Sequence, residues 1–169
     1  MKTFYSLICL SLLFFACQPK TDNAANDTFE KNSKTVLANI EGFANENLDY
    51  SMYADNFVLL ETNFGSNDSL NLDDLKSRDA ELWEIYDFEM VTDPAVLLPG
   101  VNAETKKTDG SVRYYGNWKM TLPATDSTEA KSGVLRMYES FDFDEEGKIV
   151  YQQAYADFTG IFMHLHGED

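Results

Sequence analysis

Any chemistry in this chain has to come from carboxylates and aromatic rings. The two cysteines, Cys9 and Cys17, both lie at the start, and the two histidines, His164 and His166, sit in the last few residues. The body therefore has no thiol nucleophile, disulfide or cysteine zinc cluster, and no His–Asp dyad can be read from it. Glu139 alternates with Leu135, Met137 and Phe141, so it points where apolar residues point. Desolvation would raise the pKa of a carboxylate placed there. Asp79 interrupts the helical stripe Leu72, Leu75, Leu82 and Tyr86; projection into a cavity is one reading, and the preferred one puts it at the stripe's edge, paired with a base such as Lys76 or Lys34. Trp83, Trp118, Tyr114, Tyr151 and Tyr155 are candidates to line a pocket for a flat apolar ligand, with about half expected to be plain core. Arg113 and Arg136 read as solvent-face charges. Asp142, Asp144, Glu146 and Gly147, with Gln153 at the twelfth position, approach a calcium loop, but the twelfth ligand should be Glu and helices should flank it. The flanks alternate as strands, so an acidic hairpin turn is expected and no metal. His164 and His166 read as a frayed tail.

The first residues address the protein. Lys2 precedes a mainly apolar run from Phe4 to Ala16, which Cys17 closes. The run is too short to cross a hydrocarbon core, which takes about 20 residues, and suits a signal-peptide apolar region. It resembles a bacterial lipoprotein signal, which implies that Cys17 becomes the lipidated first residue of the mature chain. Residues 1–17 are then signal peptide and residues 18–27, polar and proline-containing, a tether of roughly 15–20 Å reach. Residues 28–169 suffice for one domain with a proper core. The expected location is the bacterial cell envelope, periplasmic or outer surface, with membrane contact through the anchor only.

The net charge of −16 would repel phosphate backbones, so nucleic acid is not expected as a partner. Aromatics at 14% argue against disorder and for a core or pocket rich in rings.

The elements that must position these residues follow from periodicity. Asp27 and Glu30 have capping-box spacing before an amphipathic helix over 28–46. Residues 48–55 read as a short helix and turn, and 57–62 as a strand. Asn71 caps a further helix, with Asp73 and Asp74 near its positive end. Residues 88–101 read as irregular, because Pro94 and Pro99 limit strand pairing. Strands are expected over 112–121, 133–143 and 148–157, the last two joined at Gly147 as a hairpin. Helices followed by antiparallel strands make an α+β pattern.

Three strings in this order resemble the NTF2-like superfamily, in particular its SnoaL-like and ketosteroid-isomerase-like branches. They are Tyr53-Ala54-Asp55-Asn56-Phe57-Val58, then Tyr138-Glu139-Ser140-Phe141-Asp142-Phe143 with Gly147-Lys148-Ile149-Val150, then Tyr155-Ala156-Asp157 running on to Leu165. The resemblance covers residues 29–166. It implies a cone in which N-terminal helices pack in a curved antiparallel sheet around an apolar cavity. It places the isomerase's proton-shuttling carboxylate on Glu61 and its protonated, oxyanion-stabilising acid on Glu139. Asp157 falls where some SnoaL-like cyclases have a general acid. The isomerase's first-helix tyrosine has no counterpart, Ile40 or a neighbour standing there, and both acids are Glu where it has Asp.

The expectation is an anchored domain that binds a small, largely apolar molecule through Tyr53, Trp83, Trp118, Met137 and Tyr155, without a cofactor. One alternative is an isomerase, cyclase or dehydratase moving protons beside a carbonyl, with Glu61 as base and Glu139 or Asp157 as acid. Another is an interaction module using the outer sheet face, which the resemblance implies as a homodimer surface.

Overall fold

A computed structural model describes residues 23–63, 65 and 69–167; the expected signal peptide, Cys17 and residues 18–22 of the expected tether lie outside the described residues, while residues 23–27 of that tether already belong to a helix. Helix α1 (Asn23–Ala44) leads to a single 3-10 turn (Tyr50–Met52) and strand β1 (Tyr53–Leu60). The two-residue β2 (Ser69–Leu70) precedes α2 (Leu72–Ile85). Then come β3 (Asp87–Met90), β4 (Val96–Val101), β5 (Thr108–Leu122), β6 (Lys131–Phe143), β7 (Ile149–Tyr155) and α3 (Phe158–His166). No described helix is long and apolar enough to cross a membrane.

Local chemistry explains most of these boundaries. The Asn71 side chain accepts from the Asp73 and Asp74 amides at 2.8 and 3.1 Å, and Asp74 accepts from the Asn71 amide, a complete capping box for α2. Asp49 caps the 3-10 turn through the Ser51 amide at 2.9 Å. Asp27, expected as a cap, lies inside α1, whose helix is already running at Asn23. α1 buries Asn32, Val36, Asn39 and Ile40 on one face, as the 3.6-residue period requires. Gly110 (φ +85°) seats it: a Cβ there would strike Thr28, and Asn32 donates to the Gly110 carbonyl at 2.9 Å.

The seven strands form one mixed sheet in the order β2-β1-β7-β6-β5-β3, with β4 also on β5. All pairings are antiparallel except β1 with β7, which run parallel. The 15-residue β5 carries both short strands along one edge. β3 pairs with its Trp118–Thr121 half and β4 with its Thr108–Tyr115 half. The stretch expected to be irregular is therefore two strands. Pro94 falls in the break between them, and Pro99 sits in an edge strand where a missing N–H is tolerated.

Val112, Tyr114 and Trp118 of β5, Leu135 and Phe141 of β6, and Tyr53, Phe57 and Leu59 of β1 are buried, most of them in one cluster with Val36 and Ile40 of α1. A second cluster joins Tyr86, Met120 and Leu135 to Ile161 and Leu165 of α3. The architecture is α+β: helices on one face of an open sheet.

Candidate functional site

Between α1, α2, α3 and the sheet lies a cavity of about 220 Å³. Ile40, Phe43, Leu59, Leu75, Trp118 and Met137 make apolar walls. Residues 60–63, at the end of β1 and just beyond it, include its most exposed lining and mark the mouth.

The polar lining follows from strand alternation and helix period. β6 sends Leu135, Met137, Glu139 and Phe141 to the helix side, with Glu139 opposite Tyr114 on β5 and Ala154 on β7. Ala154 is small and also lines the cavity, leaving room beside the carboxyl. A chain of buried polar groups links four elements, α1, β1, β7 and β6. Asn39 Nδ2 donates to Tyr53 Oη at 2.6 Å, Tyr53 Oη donates to Gln152 Oε1 at 3.3 Å, and Gln152 Nε2 donates to Glu139 Oε2 at 3.5 Å. Burial is the main cause that pushes Glu139 up to about 7; the Arg78 charge and the Gln152 hydrogen bond oppose it, and Asp79 adds to it.

Asp79 belongs to this site, not to the solvent edge of α2. It is 1% exposed, it lines the cavity, and its partners are Arg78 (Nη2 to Oδ1, 3.3 Å) and the Tyr50 hydroxyl (to Oδ2, 3.1 Å), not Lys76 or Lys34. Burial raises its pKa; Arg78 and the Tyr50 hydrogen bond pull the other way. The phenols of Tyr50 and Tyr53 are likewise pushed upward, chiefly by burial.

Glu61 and Glu139 line the same cavity, as do Tyr53, Trp118 and Met137. Three other expected site residues lie elsewhere. Trp83 is not part of the lining; it packs on Phe43 and donates from Nε1 to the Phe43 carbonyl at 3.1 Å. Tyr155 points the other way, because Gln152 and Ala154 take the inward positions of β7, and it packs beside Tyr138 on the outer face. Asp157 caps α3, accepting from the Gly160 amide at 2.9 Å, and is outside the cavity.

Tyr114 is buried core and its hydroxyl lies over Gly116. Tyr151 bonds Gln153 at 2.9 Å. Both histidines sit in the last turn of α3 rather than in a frayed tail, with His166 Nε2 2.7 Å from the Tyr86 hydroxyl. The acidic loop is a hairpin turn: Asp144 Oδ1 accepts from the Glu146 and Lys148 amides at 3.0 and 2.9 Å. Among the described residues no group of three His, Cys, Asp or Glu is placed to hold a metal ion.

No family model matches the chain, and no curated protein sequence matches it. Solved structures do. A candidate polyketide cyclase from Xanthomonas campestris pv. campestris superposes with a TM-score of 0.63 at 17% identity, over 82% of this chain and 98% of that one. An NTF2-like protein from Burkholderia xenovorans LB400 gives 0.59 at 9% identity, over 80% and 96%. The chain has the NTF2-like fold. An LEH-like epoxide hydrolase from M. tuberculosis shares that fold with a TM-score of 0.56 at 15% identity, over 82% and 91%. At such identities the likeness speaks for the fold alone.

Within the NTF2-like frame, the cavity combines apolar walls with one buried carboxyl near neutrality, one carboxylate paired to arginine, and one acid at the mouth. Such a lining can fix the orientation of a small molecule and hold or release a proton beside it. Asn39, Gln152, Arg78 and Tyr50 are the site residues that sequence reasoning missed. Asn39 had a signal, being polar on the stripe Val36, Ile40 and Phe43. Gln152 had one too, as a polar residue at an inward position of β7.

Proposed function

We propose that this protein binds a small, largely apolar molecule in the cone cavity. The observation that carries this reading is an apolar-walled space of about 220 Å³ with its polar groups gathered around Glu139 and Asp79. That is the composition of a small-molecule site: much apolar surface and a few placed polar groups. The test is native mass spectrometry of the protein purified from its own host, beside a Leu59→Trp variant that fills the cavity. A co-purified small mass on the wild type and none on a folded variant supports the reading. Bare chain in both overturns it.

A second reading, proton transfer beside a carbonyl, is favoured by Glu61 and Glu139 sharing one cavity and by Glu139 standing at about 7, near the pH at which a general acid or base works best. It calls for hydrogen–deuterium exchange next to the carbonyl of a cyclic ketone, faster with wild type than with Glu61→Gln. Equal rates would remove it. Asp157 has no part in either reading.

We further propose that Cys17 carries a lipid that holds the domain at the cell envelope; the support is the leader sequence. Cys17→Ser should then move the protein from the membrane fraction to the soluble one. A homodimer through the outer sheet face is favoured by the neighbouring rings Tyr115, Tyr138 and Tyr155, with centroids 5.0 and 6.0 Å apart, and by exposed Val96 and Leu98. Sedimentation velocity decides it: Tyr138→Glu should shift a dimer to monomer.

A further inference from the structure

We propose that the ligand is a small amine: an apolar ring or short chain whose single cationic nitrogen is received by Glu139. The proposal rests on the ligand-binding reading above and names the class of molecule. Four charged residues line the cavity, Glu61, Arg78, Asp79 and Glu139, three carboxylates to one guanidinium. Arg78 Nη2 pairs with one Asp79 oxygen, leaving its buried Nε without a hydrogen-bond partner, and the second Asp79 oxygen is engaged by Tyr50. Glu139 has no such partner. It is 9% exposed, no lysine or arginine among the described residues pairs with it, and its single hydrogen bond is the 3.5 Å contact from Gln152 to Oε2. An ionised carboxylate offers about four acceptor positions, and a buried one without a counter-charge is costly.

Each ligand chemistry meets this lining differently. A carboxylate would enter a space already carrying three acids. An alcohol or ketone can accept from a protonated Glu139 but brings no charge to it. An ammonium brings several donors and a positive charge that can pair with Glu139 directly, where Arg78 acts on it only at a distance. The rings of Trp118, Tyr53 and Phe43 line the same space, and aromatic rings attract a cation placed over them. The protein's field acts in the same sense, since a net charge of −16 draws cations and repels anions. Size sets a further limit. The cavity exceeds the roughly 150 Å³ void that accepts benzene, so one ring with an aminomethyl arm fits.

The groups facing Glu139 are Tyr114 of β5, Ala154 and Gln152 of β7, Tyr53 of β1, and Arg78 with Asp79 of α2. Glu139, pushed up to about 7, is expected to change charge near neutrality, so the amine preference should strengthen between about pH 6 and about pH 8, while the amine stays protonated.

The experiment is calorimetric titration with three probes on one frame: benzylamine, benzyl alcohol and benzoate. At about pH 8 and low salt, benzylamine should bind at least about tenfold more tightly than benzyl alcohol, and benzoate should be the weakest. In Glu139→Gln the amine and the alcohol should bind alike. Should that variant not fold, the wild-type ranking and its strengthening with pH carry the test alone. Benzyl alcohol or benzoate binding as tightly as benzylamine overturns the amine class and leaves the ligand-binding reading standing. No binding by any probe, together with bare chain from the host, overturns both.

Discussion

Glu139 owes its position to strand alternation and its unusual proton affinity to what surrounds it. Its ordinary value of 4.5 is pushed to about 7, burial being the largest cause. A raised acid contributes its full stability below the unfolded-state value and loses it as pH climbs through the folded-state value. Wild type should therefore lose stability relative to Glu139→Gln between about pH 5 and about pH 8, by at most on the order of 3 kcal/mol. Asp79, also raised by burial, adds in the same direction in both proteins. Urea unfolding across that range measures it, and parallel curves for the two proteins would contradict it. Glu139 was legible in the sequence because a period of two assigns a face without ambiguity. Asp79 was not, since a stripe edge on a helix can face solvent or a cavity, and only the packing of α2 beside β1 decides. Trp83 and Tyr155 show the same limit: an aromatic at the right spacing is buried or exposed by its neighbours, not by its own type.

At the level of elements, the long hairpin of β5 and β6 depends for its packing on one glycine. A Cβ on Gly116 would fall on the Tyr114 hydroxyl, so that ring lies across the space a side chain would fill. Gly116→Ala should cost about 1–3 kcal/mol by overpacking, read as a lowered midpoint in thermal unfolding; an unchanged midpoint would show that the ring relocates freely. The Asn71 capping box is a separable contribution. Asn71→Ala should lower stability by about 1 kcal/mol in urea unfolding and leave probe binding unchanged, because the Asn71 side chain is outside the cavity lining and bonds only the first turn of α2. α2, β1, β5, β6 and β7 were readable from caps and alternation. β3 and β4 were not, because proline argues against central strands and is silent about edges. The two-residue β2 is too short to leave a pattern at all. The parallel pairing of β1 with β7 was also invisible, since nothing local to Phe57 or Tyr151 records which way a partner 90-odd positions away will run.

For the molecule as a whole, charge and topology dominate. A net charge of −16 on one small domain repels itself, so added salt should raise the melting temperature by a few degrees between low salt and about 0.3 M, where screening shortens to within a side chain or two. A melting temperature that does not move with sodium chloride would mean the acids are already compensated locally. The first and last strands also meet: β1 lies against β7, and Tyr53 reaches Gln152 across the join. Contacts between such distant segments form late and slowly, because a long loop must close before they repay its entropy. The final strand is thus the keystone of the cavity. A chain still missing its last two dozen residues has neither Gln152 beside Glu139 nor β7 alongside β1, which is left with the two-residue β2 alone. In time, binding competence should therefore arrive as a single late event, after most of the secondary structure has already formed.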